Sequence, residues 1–176
     1  MHARALRGTA PAVLLSIVAP VSTVRHRNRR HTVGLRTAPA VYCVLDQPWA
    51  EFLQPGDWIE VVGEPWKGTP STVDDRVVLV RCAAALAFAQ TRSATFRVTG
   101  TAEELDLHGR YATITLAFHG HGKIRTLQVR ARPDQAVDAF LSRRQVRAEG
   151  RITVARSGRV FYIAEQVHTG TKEEVA

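Results

Sequence analysis

The segment TVRHRNRRHTV, residues 23–33, concentrates Arg25, Arg27, Arg29 and Arg30 with His26 and His31 between apolar or β-branched residues. Guanidinium groups grip phosphate through a planar fork that lysine lacks. The rest of the chain shares this bias: 176 residues carry a formal charge of +8, and the lysines are only Lys67, Lys123 and Lys172. Such a balance points to a polyanionic partner, nucleic acid foremost. Other chemistry is thinly represented. His119 and His121 flank one glycine without a neighbouring carboxylate or cysteine, so they read as a turn rather than a metal centre. Cys43 and Cys82 sit in apolar runs and make neither a zinc site nor a disulfide framework. Carboxylate pairs, nucleophile motifs and phosphate-binding glycine loops are absent, and Asp74 and Asp75 read as loop residues. The sequence therefore predicts a protein that is not an enzyme and needs no cofactor and no metal.

A hydrophobic content of 45% is that of a chain that folds. In the second half TFRVTGTAEEL, YATITLAF and KIRTLQVRA read as strands, PDQAVDAFLSRR as a helix, and QVRAEGRITV and RVFYIAEQV as two more strands. Their alternation puts Ile114, Leu116 and Phe118 on one face and Tyr111, Thr113, Thr115 and His119 on the other. On the next strand Leu127, Val129 and Ala131 oppose Gln128, Arg130 and Arg132. Pro133 opens the helix, whose apolar stripe is Ala136, Val137, Phe140 and Leu141. Phe96, Phe118, Phe140 and Trp58 read as core.

The first half follows the same plan, with strands at 12–24, 31–37 and 40–46, a short helical turn at PWAEFLQ, and strands at DWIEVVGEP and RVVLVRCAAAL. Gly63 of VVGEP and Gly150 of AEGRI lie 87 residues apart, and RVVLV and RVFYI lie 83 apart. Two copies of one unit follow. Strand-strand-strand-helix-strand-strand is the order of a five-stranded Greek-key OB barrel. The expected fold class is all-β with short helices, as two tandem five-stranded OB-fold (Greek-key) barrels. The first spans 1–90, a linker 91–93, the second 94–170, and a short tail 171–176. RHRNRRH would then be the loop between strands one and two of the first barrel. Residues 1–22 also loosely match a secretory signal, which competes with their use as a first strand. Their apolar run is too short to span a bilayer as a helix, so no membrane role is expected.

Three stretches, GRYATITLAF (109–118), QAVDAFLSRRQVRAEGRI (135–152) and GRVFYIAEQV (158–167), resemble bacterial single-stranded DNA-binding proteins. They are similar to that family's strand two, its helix leading into a V-x-V-E-G-R fourth strand, and its closing strand. The first half is similar only through LQPGDWIEVVGE (53–64), a phrase common to many OB domains. These motifs are mostly core and turn chemistry and specify fold better than function. The resemblance implies non-enzymatic binding of single-stranded DNA in replication, repair or maintenance of a mobile or linear element, in the cytoplasm on the nucleoid. It also implies a homodimer, with replication or repair proteins as partners. The family's acidic, hydrophobic-tipped tail has no counterpart in GTKEEVA. Two alternatives stay open: an RNA-binding protein, and an assembly module that binds another protein of a nucleoprotein complex.

Single strands are held by basic grooves and aromatic faces, which in an OB barrel lie on the outer side of strands two and three and the flanking loops. In the second copy this selects Arg97, Tyr111, His119, His121, Lys123, Arg130 and Arg132, with Arg156, Arg159 and Tyr162 around the last loop. In the first copy it selects Arg25, Arg27, Arg29, Arg30, His31, Arg36 and Tyr42, with Trp66 and Lys67 on the corresponding loop. The net charge is +3 over residues 1–90 and +5 over 91–176. The second copy is expected to supply a track and the first a clamp.

Overall fold

Alternation in the opening strand fixes its inner face, because Val13, Leu15, Ile17, Ala19 and Val21 are all buried. The structure is a computed structural model that describes residues 11–27, 30–37, 40–65, 76–120, 122–157 and 159–170, with backbone alone at Arg27, 76–78, 80 and 81. Five strands form its first part: β1 (Val13–Arg27), β2 (Arg30–Leu35), β3 (Ala40–Leu45), β4 (Trp58–Pro65) and β5 (Arg76–Leu86). A 3-10 turn, Pro48–Phe52, sits between β3 and β4. The second part holds β6 (Ser93–Leu107), β7 (Ala112–Gly120), β8 (Lys123–Ala131), helix α1 (Pro133–Ser142), β9 (Gln145–Val154) and β10 (Val160–Gly170).

Pairing closes each set of five strands on itself. In the first circuit β1 pairs with both β2 and β4, and β3 and β5 join in parallel. In the second, β6 pairs with both β7 and β9, and β8 and β10 join in parallel. The registers correspond residue by residue. Leu15 faces Gly63 as Phe96 faces Gly150, and Val33 faces Cys43 as Ile114 faces Val129. Even the irregularities recur, since the β1–β2 bulge between Val21 and Thr23 matches the β6–β7 bulge between Ala102 and Glu104. Bulges bend a strand, and here they lie where one long strand passes from one partner to another.

β1 leaves β6 after Val18 and takes up β2 from Val21. Pro20, which has no N–H to give, sits at the change of partner, and its carbonyl accepts the Arg36 N–H at 2.9 Å. Gly100 occupies the bend in β6, where an added Cβ would lie 2.4 Å from the Ala117 carbonyl oxygen. The two circuits meet through antiparallel pairing of β1 with β6, centred on Leu15 opposite Phe96. Those two residues hold the same place in their own circuits, so the junction has local pseudo-two-fold symmetry.

Inner faces of both circuits join one buried cluster. The first circuit gives it Leu15, Ile17, Val33, Leu45, Ile59 and Leu79, and the second Phe96, Val98, Ile114, Leu116, Val129 and Val146. Burying each such aliphatic side chain stabilises the fold by roughly 1.5 to 3 kcal/mol. Against the second circuit packs α1, which starts at Pro133 and ends at Arg143 in the left-handed conformation, φ 51°. Its buried residues are Ala136 and Ala139, whereas Val137 and Phe140 are half-buried and Leu141 is 70% exposed. The expected stripe is thus rotated by about one residue, because the small alanines let the helix sit close to the sheet. Trp58, expected in the core, is half-buried at the start of β4.

Of RHRNRRH, expected as a loop, residues 25–27 and 30–31 are strand, and Asn28 and Arg29 lie outside the described residues. β1 runs to Arg27 and β2 starts at Arg30, with Arg25 opposite Thr32, His26 opposite His31 and Arg27 opposite Arg30. The basic cluster is the end of a two-stranded hairpin, longer than apolar alternation alone indicated because arginine and histidine continue the strands.

Candidate nucleic-acid interface

Outward positions of the β1–β2–β3 surface follow from the register: Thr23, Arg25, Arg30, Thr32, Gly34, Tyr42 and Val44. Arg25 and Arg30 are both exposed and diagonal across the hairpin, and no carboxylate lies among these residues. Their like charges repel, and a polyanion laid along the hairpin removes that repulsion. Tyr42 lies over Gly34, where a Cβ would come within 3.2 Å of the tyrosine ring. Arg36 is exposed beyond β2 and lines a groove of about 540 Å³ with Thr37, Arg92, Ser93 and Ala94 at the junction of the circuits. Arg29, Trp66 and Lys67 lie outside the described residues, as does the side chain of Arg27.

His31 belongs elsewhere. It is 7% exposed on the inner side of β2, opposite Leu45, and its Nδ1 is 2.7 Å from Nδ1 of His26. One ring donates and the other accepts, so the exposed His26 ties down the buried His31 across the hairpin.

On the second circuit five planar groups stack across the outer surface. His108 and Tyr111 pack at a centroid distance of 4.9 Å with a 34° tilt. The Arg130 guanidinium lies 4.6 Å from the Tyr111 centroid and 3.7 Å from that of Phe161. Arg159 covers Phe161 at 5.2 Å. A turn closed by the His108 N–H to Tyr111 carbonyl bond (2.9 Å) holds one end, and the Ala155 N–H to Arg159 carbonyl bond (2.9 Å) holds the other. β8 and β10 present the middle, through Arg130 and Phe161. A guanidinium on an exposed ring is worth about 0.5 to 1 kcal/mol, and a base on an aromatic ring about 1 to 3 kcal/mol. A base can therefore extend this stack, or displace a guanidinium from it, at a net gain.

Phe161 and His108 were not among the residues selected from sequence, while Tyr162 was, and the structure reverses that choice. Tyr162 pairs with Val129 and points inward, 5% exposed, with its ring edge-on to Phe96 at 5.2 Å. Burial pushes its phenol pKa up. The choice between adjacent aromatics in RVFYI depends on parity, which the pairing of Tyr162 with Val129 sets. Arg92 also went unselected, lying in a stretch expected to be linker.

The remaining candidates are scattered. Arg97 lies on the part of β6 paired with β1 and β9, away from β7 and β8. There its Nε donates to Glu149 Oε1 at 2.7 Å, and Arg147 Nε donates to the same oxygen at 2.6 Å. Burial raises the Glu149 pKa, but the Arg147 hydrogen bond and the two guanidinium charges outweigh it and hold the carboxyl below its ordinary value. Arg97 is therefore part of a structural ion cluster and not of the stack. His119 and Lys123 are exposed at the β7–β8 turn, six residues along β7 from Thr113, or about 20 Å from the stack. His121 lies outside the described residues. Arg132 is exposed but forks onto Asp134, at 3.1 Å and 2.5 Å, and that bond lowers the Asp134 pKa. Arg156 and Arg159 are exposed around the β9–β10 turn. The structure thus gathers Tyr111, Arg130 and Arg159 with the unexpected Phe161 and His108.

Among the described residues no group of three or more His, Cys, Asp or Glu side chains could hold a metal ion. No helix there is long and apolar enough to cross a membrane. Both cysteines are free and buried, and burial pushes Cys43 up to about 12 and Cys82 to about 11, which leaves them unreactive thiols.

No family model and no curated protein sequence matches the chain. Among solved structures it is similar to the crystal structure of wild-type single-stranded DNA-binding protein from Thermus aquaticus. The TM-score is 0.58 at 14% identity, over 91% of this chain and 93% of that one. Two others, described as "Structural mimicry for functional antagonism" and "Molecular basis for abrogation of activation of pro-inflammatory cytokines", align at TM-scores of 0.33 and 0.31 with 6% identity and carry no argument. They cover 92% and 90% of this chain, and 98% and 93% of their own. At such identity the first likeness speaks for the fold alone: the chain is all-β and OB-like.

Proposed function

We propose that the chain is a tandem pair of OB barrels that binds single-stranded DNA and has no enzymatic activity. The barrels would span residues 1–90 and 93–170, with 171–176 as tail; the linker expected at 91–93 shortens to 91–92, because β6 starts at Ser93. The observation that carries the reading is the outer-face stack of His108, Tyr111, Arg130, Phe161 and Arg159. Alternating rings and guanidinium planes suit unpaired bases, which need π-faces, and their phosphates, which need fixed positive charge. A duplex hides its base faces and would use the charge only. Support also comes from Arg25 and Arg30 on the first hairpin, and from the likeness to a solved protein that binds single-stranded DNA. Cytoplasmic placement on the nucleoid, a role in replication, repair or maintenance of a mobile or linear element, homodimer formation and partners among replication or repair proteins go with this reading.

The test is anisotropy with labelled single-stranded DNA, duplex DNA and RNA of equal length across a salt series. Single-stranded DNA should bind tightest, with affinity falling as salt rises because phosphate contacts release counterions. Preference for duplex, or affinity indifferent to salt, would overturn the proposal. Tighter binding to RNA would move the function to the ribose-containing strand.

A further inference from the structure

We infer that the second circuit's outer surface reads base edges and selects strands whose bases carry exocyclic amino groups, with Glu104 and Asp106 as its specificity-determining residues. This rests on the single-stranded reading above.

Register places both carboxylates beside the stack. Asp106 pairs with Thr113, which pairs with Arg130, so the three form one row across β6, β7 and β8. Glu104, Thr115 and Gln128 form the next row. Glu104 lies on the outer face, since the Thr115 hydroxyl donates towards its Oε2 at 3.4 Å. Both carboxylate residues are exposed.

The fold does not require acids there. Arg25 sits opposite Thr32 as Asp106 sits opposite Thr113, and Thr23 precedes Arg25 as Glu104 precedes Asp106. The first circuit meets the same backbone geometry with a cation and a hydroxyl. On a surface that only tracked phosphate, two carboxylates would repel the ligand. Beside rings on which bases lie flat, they face base edges instead. Ionised carboxylates only accept hydrogen bonds, so they match the amino groups of cytosine and adenine and clash with the carbonyl oxygens of uracil and thymine. The exposed Gln128 amide and the half-buried Thr113 hydroxyl can donate or accept and complete an edge-reading patch, while the buried Thr115 orients Glu104 from beneath.

The probe pair is oligo-dC against oligo-dU of equal length: cytosine has an amino group at C4 and an acceptor at N3, where uracil has a carbonyl oxygen and an N–H. With the full chain at pH 8, where dC strands stay unpaired, dC should bind about fivefold to tenfold tighter, the scale of one good base-edge contact. That ratio should persist as salt rises. The isosteric double variant Glu104→Gln, Asp106→Asn should bind dU more tightly and bring the ratio close to one. Equal binding of both strands by the native protein would overturn the inference while leaving single-strand binding intact. So would a variant that gains equally on both, since the acids would then act only through charge. Failure of both strands to bind at any salt would overturn the single-strand reading as well.

Discussion

The two circuits repeat one set of strand registers but divide their chemistry. At one register position the first carries Arg25 and the second Asp106. Tyr111 of the second stands where the first has Arg30, and Arg130 where the first has Val44. The first circuit therefore offers charge on a protruding hairpin, the second a planar stack with carboxylates beside it. A fold fixes backbone positions and inward residues, and it leaves outward residues free to diverge. Equivalent surfaces in one chain can then grip the same ligand through different parts, phosphate in one and base in the other.

The widest separation should come from replacing Arg25, Arg27, Arg29 and Arg30 with alanine. We expect single-strand affinity to drop roughly a hundredfold near 0.1 M salt, with the slope of log affinity against log salt shallower by about 3. Thermal unfolding should stay within a few degrees of native. If the slope is unchanged, the hairpin does not contact phosphate. Next comes Phe161→Ala, expected to cost about 1 to 3 kcal/mol of binding with the salt slope preserved. Tyr42→Ala, the aromatic of the first circuit, should cost less, and equal losses would erase the proposed division.

A smaller effect belongs to Glu149→Gln, which gives Arg97 and Arg147 a neutral amide in place of their shared carboxylate. The side chain is 27% exposed, so we expect a loss of about 1 kcal/mol in denaturant unfolding, with little change in binding. Because the folded carboxyl is held below its ordinary value of 4.5, this contribution is present above pH 4.5 and fades as pH falls through the lowered value. The variant's deficit should shrink correspondingly in acid. Smallest is Tyr162→Phe. Its buried hydroxyl has no hydrogen-bond partner among the described residues, so removing it should leave binding unchanged and stability equal or higher by about 1 kcal/mol. Weakened binding would return Tyr162 to the interface.

Inward residues were the legible part of this chain. Alternation through ITLAF and LQVRA gave the buried faces of β7 and β8, and glycines spaced 87 residues apart marked positions that share one register in β4 and β9. Outward chemistry was harder to read, for identifiable reasons. Phe161 and Tyr162 are adjacent aromatics, and only the parallel pairing of β10 with β8 decides which one faces solvent. Arg97 has the right parity, but β6 changes partner along its length, so parity alone could not say which surface it joins. His31 looked like part of a polar loop because strand continuation through arginine leaves no apolar signal. The Arg132 fork onto Asp134 is local and could have been suspected from RPD, which places acid and base two residues apart.

Antiparallel pairing at Leu15 and Phe96 relates the circuits by rotation, not by translation. A nucleic-acid strand has a chemical direction, 5′ to 3′, and a rotated copy of a site meets that direction reversed. Two identical sites so arranged could engage one strand in the same sense only if it doubled back between them. A hairpin that grips phosphate charge is indifferent to strand direction, whereas a stack that orients bases is not. Under the proposed function, keeping the direction-sensitive chemistry in one circuit would let the chain hold a single unreversed strand across both.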